Sequence, residues 1–252
     1  SRGLGDVYKR QALLNYEGFK DLDFSNLLMS LSGGMAALDT TAKRWHEVTK
    51  SVIWQAYGLT ETSPLVSVPN YKQTDFTGSV GLPAAFTEIE IRDEENNALT
   101  ETNEVGELCV RGPQVMSGYW NSEVSGLDKD NWFMTGDIAR IDETGNIFIV
   151  DRKKDMIIVS GFNVFPNEVE AVVNEHPAVL ECGCVGVEGK DSQEIVKVFI
   201  VLHEDQTLSE EEIITFCRDK LTAYKVPKQI EFIKEIPKTN VGKVLRRELK
   251  EI

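Results

Sequence analysis

The chain has 252 residues, 41% of them hydrophobic, and a formal net charge of -14. That length accommodates one or two globular domains, each with a core. The acidic balance argues against nucleic acid as the main partner and against an electrostatic anchor on acidic lipid, since both need a basic footprint. No apolar run approaches the ~20 residues that span a bilayer, and no stretch reads as a secretory signal.

The opening SRGLGDVYKR carries no period of two or of 3.6 and joins abruptly to ALLNYEGFKDLDFSNL, so residues 1–10 are expected to be foreign to the fold. Nothing before residue 27 reads as a first core element, and the chain is expected to begin in mid-domain. LLMSLSGG is a short apolar strand running into a Gly-Gly turn. LDTTAKRWHEV places Leu38, Ala42, Trp45 and Val48 on one helical face with Asp39 as a cap, and SVIWQAYG is a second buried strand. This order predicts a parallel α/β unit over residues 11–75. From residue 76 to 150, FTEIEIRD, GELCVRG, DIARID and NIFIV are short alternating strands, with a hairpin turn at Glu143-Thr144-Gly145-Asn146. They predict a small antiparallel sheet or barrel. The charged knot DRKKD, residues 151–155, reads as a linker. Residues 156–252 read as an independent α+β domain. In it MIIVS, VLECGCVGV, EIVKVFIVL and QIEFI are strands, Pro166 opens a helix with Glu168 in its first turn, and Ser209 with Glu212 forms a capping box.

Four cysteines do not make a disulfide framework at this length, and Cys182 and Cys184 sit in a strand without a C-x-x-C pair, so packed thiols in a reducing compartment are expected. His46, His176 and His203 are scattered and accompany no nucleophile motif. From Lys225 to Lys250 eight Lys or Arg stand against three Glu, a local cationic face that suits a small anionic ligand.

Five clusters could carry chemistry. YGLTE (57–61) follows a buried strand, and its glycine, hydroxyl and carboxylate suit phosphate and Mg²⁺. GELCVRGPQVMSGYW (106–120) is glycine-rich and ends in a Tyr-Trp pair. WFMTGD (132–137) sets Asp137 after a Thr-Gly turn, where a carboxylate can accept two hydrogen bonds from a ribose diol. DRKKDMIIVSGFNVFPNEVE (151–170) joins a charged hinge to a glycine loop. NVGKVLRREL (240–249) puts Lys243 after Gly242 in a loop opened by Pro237. Taken singly, each has a plainer reading as a turn, a strand or a solvated lysine. The last is not a Walker A loop: Pro237 stands where the first glycine is needed and Val244 where Ser or Thr is needed.

Their order is the stronger signal. LSGGMAAL, YGLTE, GELCVRGPQVMSGYW, FMTGD, DRKKDMIIVSGFNVFPNEVE, YKVPK and PKTNVGKVLRREL together resemble the adenylate-forming, AMP-binding superfamily of acyl-CoA synthetases, luciferases and peptide-synthetase adenylation domains. The likeness runs from residue 12 to 252, and VDRKKDMIIVSGFNVFPNEVE is most similar to bacterial long-chain fatty-acid–CoA ligases. The resemblance implies a chain in two parts, the end of a large AMP-binding domain and a mobile C-terminal domain. It implies ATP, fatty acid and coenzyme A as substrates, AMP as a product, and Mg²⁺. By resemblance Lys243, Thr60 and Glu61 are catalytic, with Glu61 on Mg²⁺. Gly33, Gly34, Met35, Tyr57, Gly58, Asp137 and Arg152 are nucleotide-binding. Lys154 is the hinge, and Gly161 with Phe162 lines the coenzyme A channel. It also implies a cytoplasmic enzyme, with peripheral association at the inner membrane face left open.

This chain departs from the superfamily in one main respect: the Thr/Ser/Gly-rich phosphate loop is absent from residues 1–252. The chain is therefore expected to be the C-terminal part of a longer ligase and inactive alone. Asn131 stands where relatives often carry Gly. Two rival readings remain open at this point: an adenylate former acting on an aryl, short-chain or amino acid, and a non-catalytic nucleotide-binding or interaction module.

Overall fold

The computed structural model describes residues 6–122, 125–189, 192–239 and 243–252. Residues 1–5 of the opening segment and Gly242 lie outside them. The chain divides into two compact units, 1–149 and 150–252.

The first unit begins with helix α1 (Asp6–Asn15) and continues through strand β1 (Ser30–Ser32), helix α2 (Asp39–Thr49) and strand β2 (Ile53–Gln55). β1 and β2 pair in parallel, Ser30 opposite Ile53. Phe19, Ala42, Trp45 and Ile53 form the core of this piece. Trp45 donates its indole N–H to Ser30 Oγ at 2.9 Å, and Phe19 packs on Trp45 with ring centroids 5.6 Å apart. Four expectations change here. Phe19 is a core residue ahead of residue 27. A helix also runs through the junction at residue 10, with Arg10 Nη1 donating to Ser32 Oγ at 3.2 Å. Leu38 is exposed rather than inward, because it precedes the first turn of α2 as its cap position, and Asp39 lies inside the helix, paired with Lys43.

The rest of this unit is antiparallel: β3 (Ser67–Val68), β4 (Leu82–Pro83), β5 (Glu88–Arg92), β6 (Ala98–Leu99), β7 (Gly106–Arg111), β8 (Phe133–Ile141) and β9 (Ile147–Arg152). β3 pairs with β4, and the others form one five-stranded sheet in the order β6-β5-β7-β8-β9. Of sheet or barrel, the chain takes the open sheet. Ile91, Leu108, Val110, Ala139 and Ile147 form its core with Val66 and Val80.

The second unit holds a short hairpin, β10 (Ile157–Val159) with β11 (Phe162–Val164), then α3 (Pro166–Val173), β12 (Val179–Glu188), β13 (Glu194–Leu202), α4 (Glu210–Arg218), β14 (Gln229–Phe232) and α5 (Arg246–Leu249). Its sheet order is β12-β13-β14, antiparallel then parallel. Alternate residues of β13 feed two cores, since side chains on a strand point to opposite faces. Val196, Val198 and Ile200 join Ile157, Val169 and Ile213 on one side; Phe199 and Val201 join Val185, Ile236 and Leu249 on the other. The capping box forms as expected: Ser209 Oγ accepts from Glu212 N–H at 3.2 Å while Glu212 Oε2 accepts from Ser209 N–H at 2.9 Å. DRKKD is less of a linker than its charge suggests. Asp151 and Arg152 complete β9, Asp151 is 1% exposed, and only Lys153–Asp155 form a separate 3-10 turn.

Candidate functional site

In the first unit the candidate residues gather where the parallel strands end. Gly33, Gly34 and Met35 follow the carboxyl end of β1, and Tyr57 to Glu61 follow that of β2. Crevices at the carboxyl ends of parallel strands are the usual ligand positions of α/β sheets. Gln55 joins the two segments: its Oε1 accepts from Ala37 N–H at 2.7 Å and its Nε2 donates to the Gly78 carbonyl at 3.0 Å.

The segment after β2 is folded tightly on itself. Val66 and Ser67 both donate backbone N–H to the Tyr57 carbonyl, at 2.9 and 3.0 Å. Gly58 lies so close to Pro64 that a Cβ there would sit 1.7 Å from the Pro64 carbonyl oxygen, which requires glycine. Thr62 is fully buried; its hydroxyl accepts from Leu59 N–H at 3.0 Å and lies 2.7 Å from the Pro64 carbonyl. The result leaves Thr60 exposed and Glu61 half-buried.

Asp137 reaches the same place from the antiparallel sheet. Between the pairs Cys109–Met134 and Glu107–Ile138, β7 advances two residues while β8 advances four. The excess is a bulge at Thr135-Gly136-Asp137, with Gly136 at φ 70 and its N–H bound to Glu107 Oε1 at 3.0 Å. The expected turn is thus a distortion inside one long strand. It presents a buried carboxylate to Tyr57, whose hydroxyl donates to Asp137 Oδ2 at 2.5 Å. GPQVMSGYW closes on Glu61: Met116 N–H donates to the Glu61 carbonyl at 2.8 Å and Tyr119 Oη to Glu61 Oε1 at 3.0 Å. Three motifs far apart in sequence therefore meet through Tyr57–Asp137 and Glu61–Tyr119. Sequence reasoning missed Thr62, Gln55 and the Tyr119 contact. Thr62 carried a signal, as a hydroxyl residue two positions before a proline in a turn.

The other candidates belong to the second unit. Arg152 ends β9, with its N–H on Asp151 Oδ1 at 2.7 Å, and Lys154 is exposed in the turn that follows. Gly161 (φ 84) and Phe162 make the tip of the β10–β11 hairpin, where Phe162 stacks on Tyr224 with centroids 4.7 Å apart. Lys243 is exposed; its N–H donates to Thr239 Oγ1 at 3.1 Å and its carbonyl accepts from Thr239 N–H at 2.8 Å. The same unit holds a charge cluster that the sequence did not reveal: buried Asp151 with the partly buried Asp155, Glu170 and Arg246. Burial pushes the Asp151 and Glu170 carboxyls upward, against the pull of backbone N–H groups and Arg246. All four cysteines are free and buried, and burial pushes the Cys109 thiol up to about 12 and Cys217 to about 11.

A pair of parallel strands whose carboxyl ends carry the candidate residues, a strand-borne carboxylate pinned by a tyrosine, and a separate lysine-bearing α+β unit define the molecule. Known proteins share this plan. The AMP-binding enzyme model matches residues 8–120, and the AMP-binding enzyme C-terminal domain model matches residues 168–243. The chain belongs to the AMP-binding enzyme family. It is 52% identical over 242 residues to a long-chain-fatty-acid–CoA ligase of Escherichia coli O157:H7, a match covering 95% of this chain and 43% of that relative. Among solved structures it resembles ATP-bound MatB from Rhodopseudomonas palustris, with TM-score 0.89 and 29% identity over 98% of this chain and 50% of that one. It also resembles the anthranilate CoA ligase AuaEII in complex with anthranoyl-AMP, with TM-score 0.83 and 31% identity over 96% of this chain and 48% of that one. The chain thus spans about half the length of the proteins it matches.

Proposed function

We propose that the chain carries the nucleotide-handling part of a long-chain fatty-acid–CoA ligase. In that reaction a fatty-acid carboxylate attacks the α-phosphorus of ATP to give acyl-adenylate and pyrophosphate. The thiol of coenzyme A then displaces AMP to give the thioester. The observation that carries the reading is the meeting of Tyr57 with Asp137 at 2.5 Å where the parallel strands end, beside Glu61 and Tyr119. In this reading Gly33, Gly34, Met35 and Gly58 rim the adenine and Tyr57 stacks on it. Asp137 accepts from the ribose diol, with Arg152 at the same nucleotide, and Thr60 contacts the triphosphate.

Among the described residues no group of three or more His, Cys, Asp or Glu could hold a metal unaided. Glu61 would hold Mg²⁺, which when bound with the nucleotide would neutralise charge on the substrate phosphates. Lys243 serves the first step. Carboxylate and triphosphate repel each other, and a compact cation on an adjustable stem offsets that repulsion most where water is excluded. Lys154 acts as hinge, and Gly161 with Phe162 lines the path of the pantetheine thiol in the second step. No helix among the described residues is long and apolar enough to cross a membrane. A cytoplasmic place, with or without peripheral contact with the inner membrane, is compatible with that.

The test is a graft. Residues 11–252 replace the matched region of the Escherichia coli relative, and coenzyme A-dependent AMP release is followed with acids of graded length. Turnover that favours palmitate and falls by roughly a hundredfold or more on Asp137→Ala supports the reading. A folded graft that accepts only aryl or short acids moves the chain to another branch of the family, and one that accepts no acid overturns the enzymatic reading. The 252-residue chain alone is expected to release no AMP, because it lacks a Thr/Ser/Gly-rich phosphate loop; robust turnover would contradict that expectation.

A further inference from the structure

Arg246 opens α5, three residues after Lys243, and its side chain is only 15% exposed. Its guanidinium spreads over three elements. Nη2 donates to Glu170 Oε1 and to Asn167 Oδ1 on α3, each at 2.8 Å. Nε donates to the Cys184 carbonyl on β12 at 3.2 Å, and Nη1 lies 3.5 Å from Asp155 Oδ2 in the turn that contains Lys154. Glu170 Oε1 in turn accepts from Cys184 N–H at 2.8 Å. Burial opposes the Arg246 charge, but Glu170 and Asp151 outweigh it and hold its pKa above the ordinary value. A planar head with five donors can span such partners at once, and an ammonium cannot.

The segment flanking Lys243 needs such an anchor. Its two arms close on each other through the Lys238–Val244 bridge, the Thr239–Lys243 bonds and Leu245 N–H on the Pro237 carbonyl at 2.8 Å. The incoming arm is tied to β12 by the Lys238–Glu181 ion pair. The outgoing arm is tied by Arg246. We infer that Arg246 is a positioning residue for Lys243: it fixes the outgoing arm to α3, β12 and the Lys154 turn, and so sets where the Lys243 ammonium can reach. The inference rests on the proposed role of Lys243 in adenylation. Displacing a reacting group by 1 Å can slow a reaction about a hundredfold, so a loosened arm tells on rate even though Lys243 itself is intact.

Arg246→Gln and Arg246→Lys test it with two readouts. In the 252-residue chain, native-state trypsin cleavage after Lys243 is measured by mass spectrometry against cleavage after the exposed Lys72 of the first unit. Loss of charge-assisted bonds is expected to speed cleavage after Lys243 about tenfold in both variants and leave Lys72 unchanged. Slow labelling of Cys217 shows that the second unit stays folded. If it labels fast, Asn167→Ala, which keeps the Arg246–Glu170 pair and removes one arm, takes their place with a smaller rise. In the graft, adenylation is expected to slow at least about tenfold, while thioester formation from supplied acyl-adenylate stays within about twofold. Unchanged cleavage after Lys243, or equal loss in both half-reactions, overturns the inference. Lys243→Ala is run beside it. If that variant spares adenylation, the role of Lys243 fails, and the cleavage rates still report whether Arg246 ties the arm.

Discussion

Gly33 and Gly58 both sit in the candidate nucleotide site, yet their replacement by alanine should do opposite things. At Gly58 a Cβ would lie 1.7 Å from the Pro64 carbonyl oxygen, 2.7 Å from its carbon and 3.1 Å from Leu65 Cα. All three are backbone atoms, so no side chain can rotate away. To reach ordinary contact the 58–65 turn must open, which loosens the bonds from Val66 N–H and Ser67 N–H to Tyr57 and from Tyr57 N–H to Ser67 Oγ. Two or three backbone hydrogen bonds at about 1 kcal/mol each, with an overpacking term of about 1–3 kcal/mol, put the cost near 3–6 kcal/mol. At Gly33 the nearest atom to a Cβ is the Ala56 carbonyl oxygen at 3.6 Å, an ordinary contact, and alanine should change stability by less than about 0.5 kcal/mol. All four tryptophans, Trp45, Trp54, Trp120 and Trp132, lie in the first unit, so urea unfolding followed by tryptophan fluorescence reads that unit alone. Gly58→Ala should lower the midpoint sharply and Gly33→Ala should leave it in place. Equal midpoints would refute the packing argument. A stable Gly33→Ala that raises the KM for ATP in the graft would show that the glycine is kept for ligand approach.

Three further outcomes are expected. Lys243→Ala in the graft should slow adenylation by roughly a hundredfold or more while sparing thioester formation from supplied acyl-adenylate; equal loss would contradict a division of labour between the two steps. The native chain should resist thiol reagents at pH 8, since a thiol at about 12 is ionised in only about one molecule in ten thousand and Cys109 is buried as well; rapid labelling of Cys109, read by peptide mass, would be wrong for this core. Glu170 gives a pH dependence. Its carboxyl is raised above 4.5 in the folded state, so the folded state holds more protons and the associated stability is present below that value and lost as pH rises through the folded one. Glu170→Gln does not titrate there. The gap in second-unit melting temperature between variant and parent should therefore shift in favour of the variant as pH is raised from below 4.5, and a constant gap would remove Glu170 from the account.

Much of the fold was legible because its strands and helices obey simple periods. β13 alternates between two cores, α4 carries its capping box in four letters, and Pro166 marks the start of α3. The failures have physical causes. α1 has little amphipathic pattern, and its Arg10 acts by reaching Ser32, a contact no local window contains. DRKKD looked like a solvated linker because charge is read one residue at a time, whereas Asp151 is buried by partners that come later: Asn167 N–H at 2.7 Å and the Arg246 cluster.

The site shows the same division more sharply. The family resemblance picked out Tyr57, Glu61 and Asp137 as candidates, but no spacing rule predicts that Asp137 arrives on a two-residue excess in β8 rather than on a turn. The difference bears on chemistry. A carboxylate on an exposed turn is solvated and mobile, whereas this one is 2% exposed, carried by a strand paired on both sides, and fixed by Thr135 Oγ1 on its own N–H at 3.1 Å. Preorganised acceptors bind a diol without first being ordered. A sequence can therefore point to the candidate carboxylate, but the bulge in the paired strand is what makes it rigid.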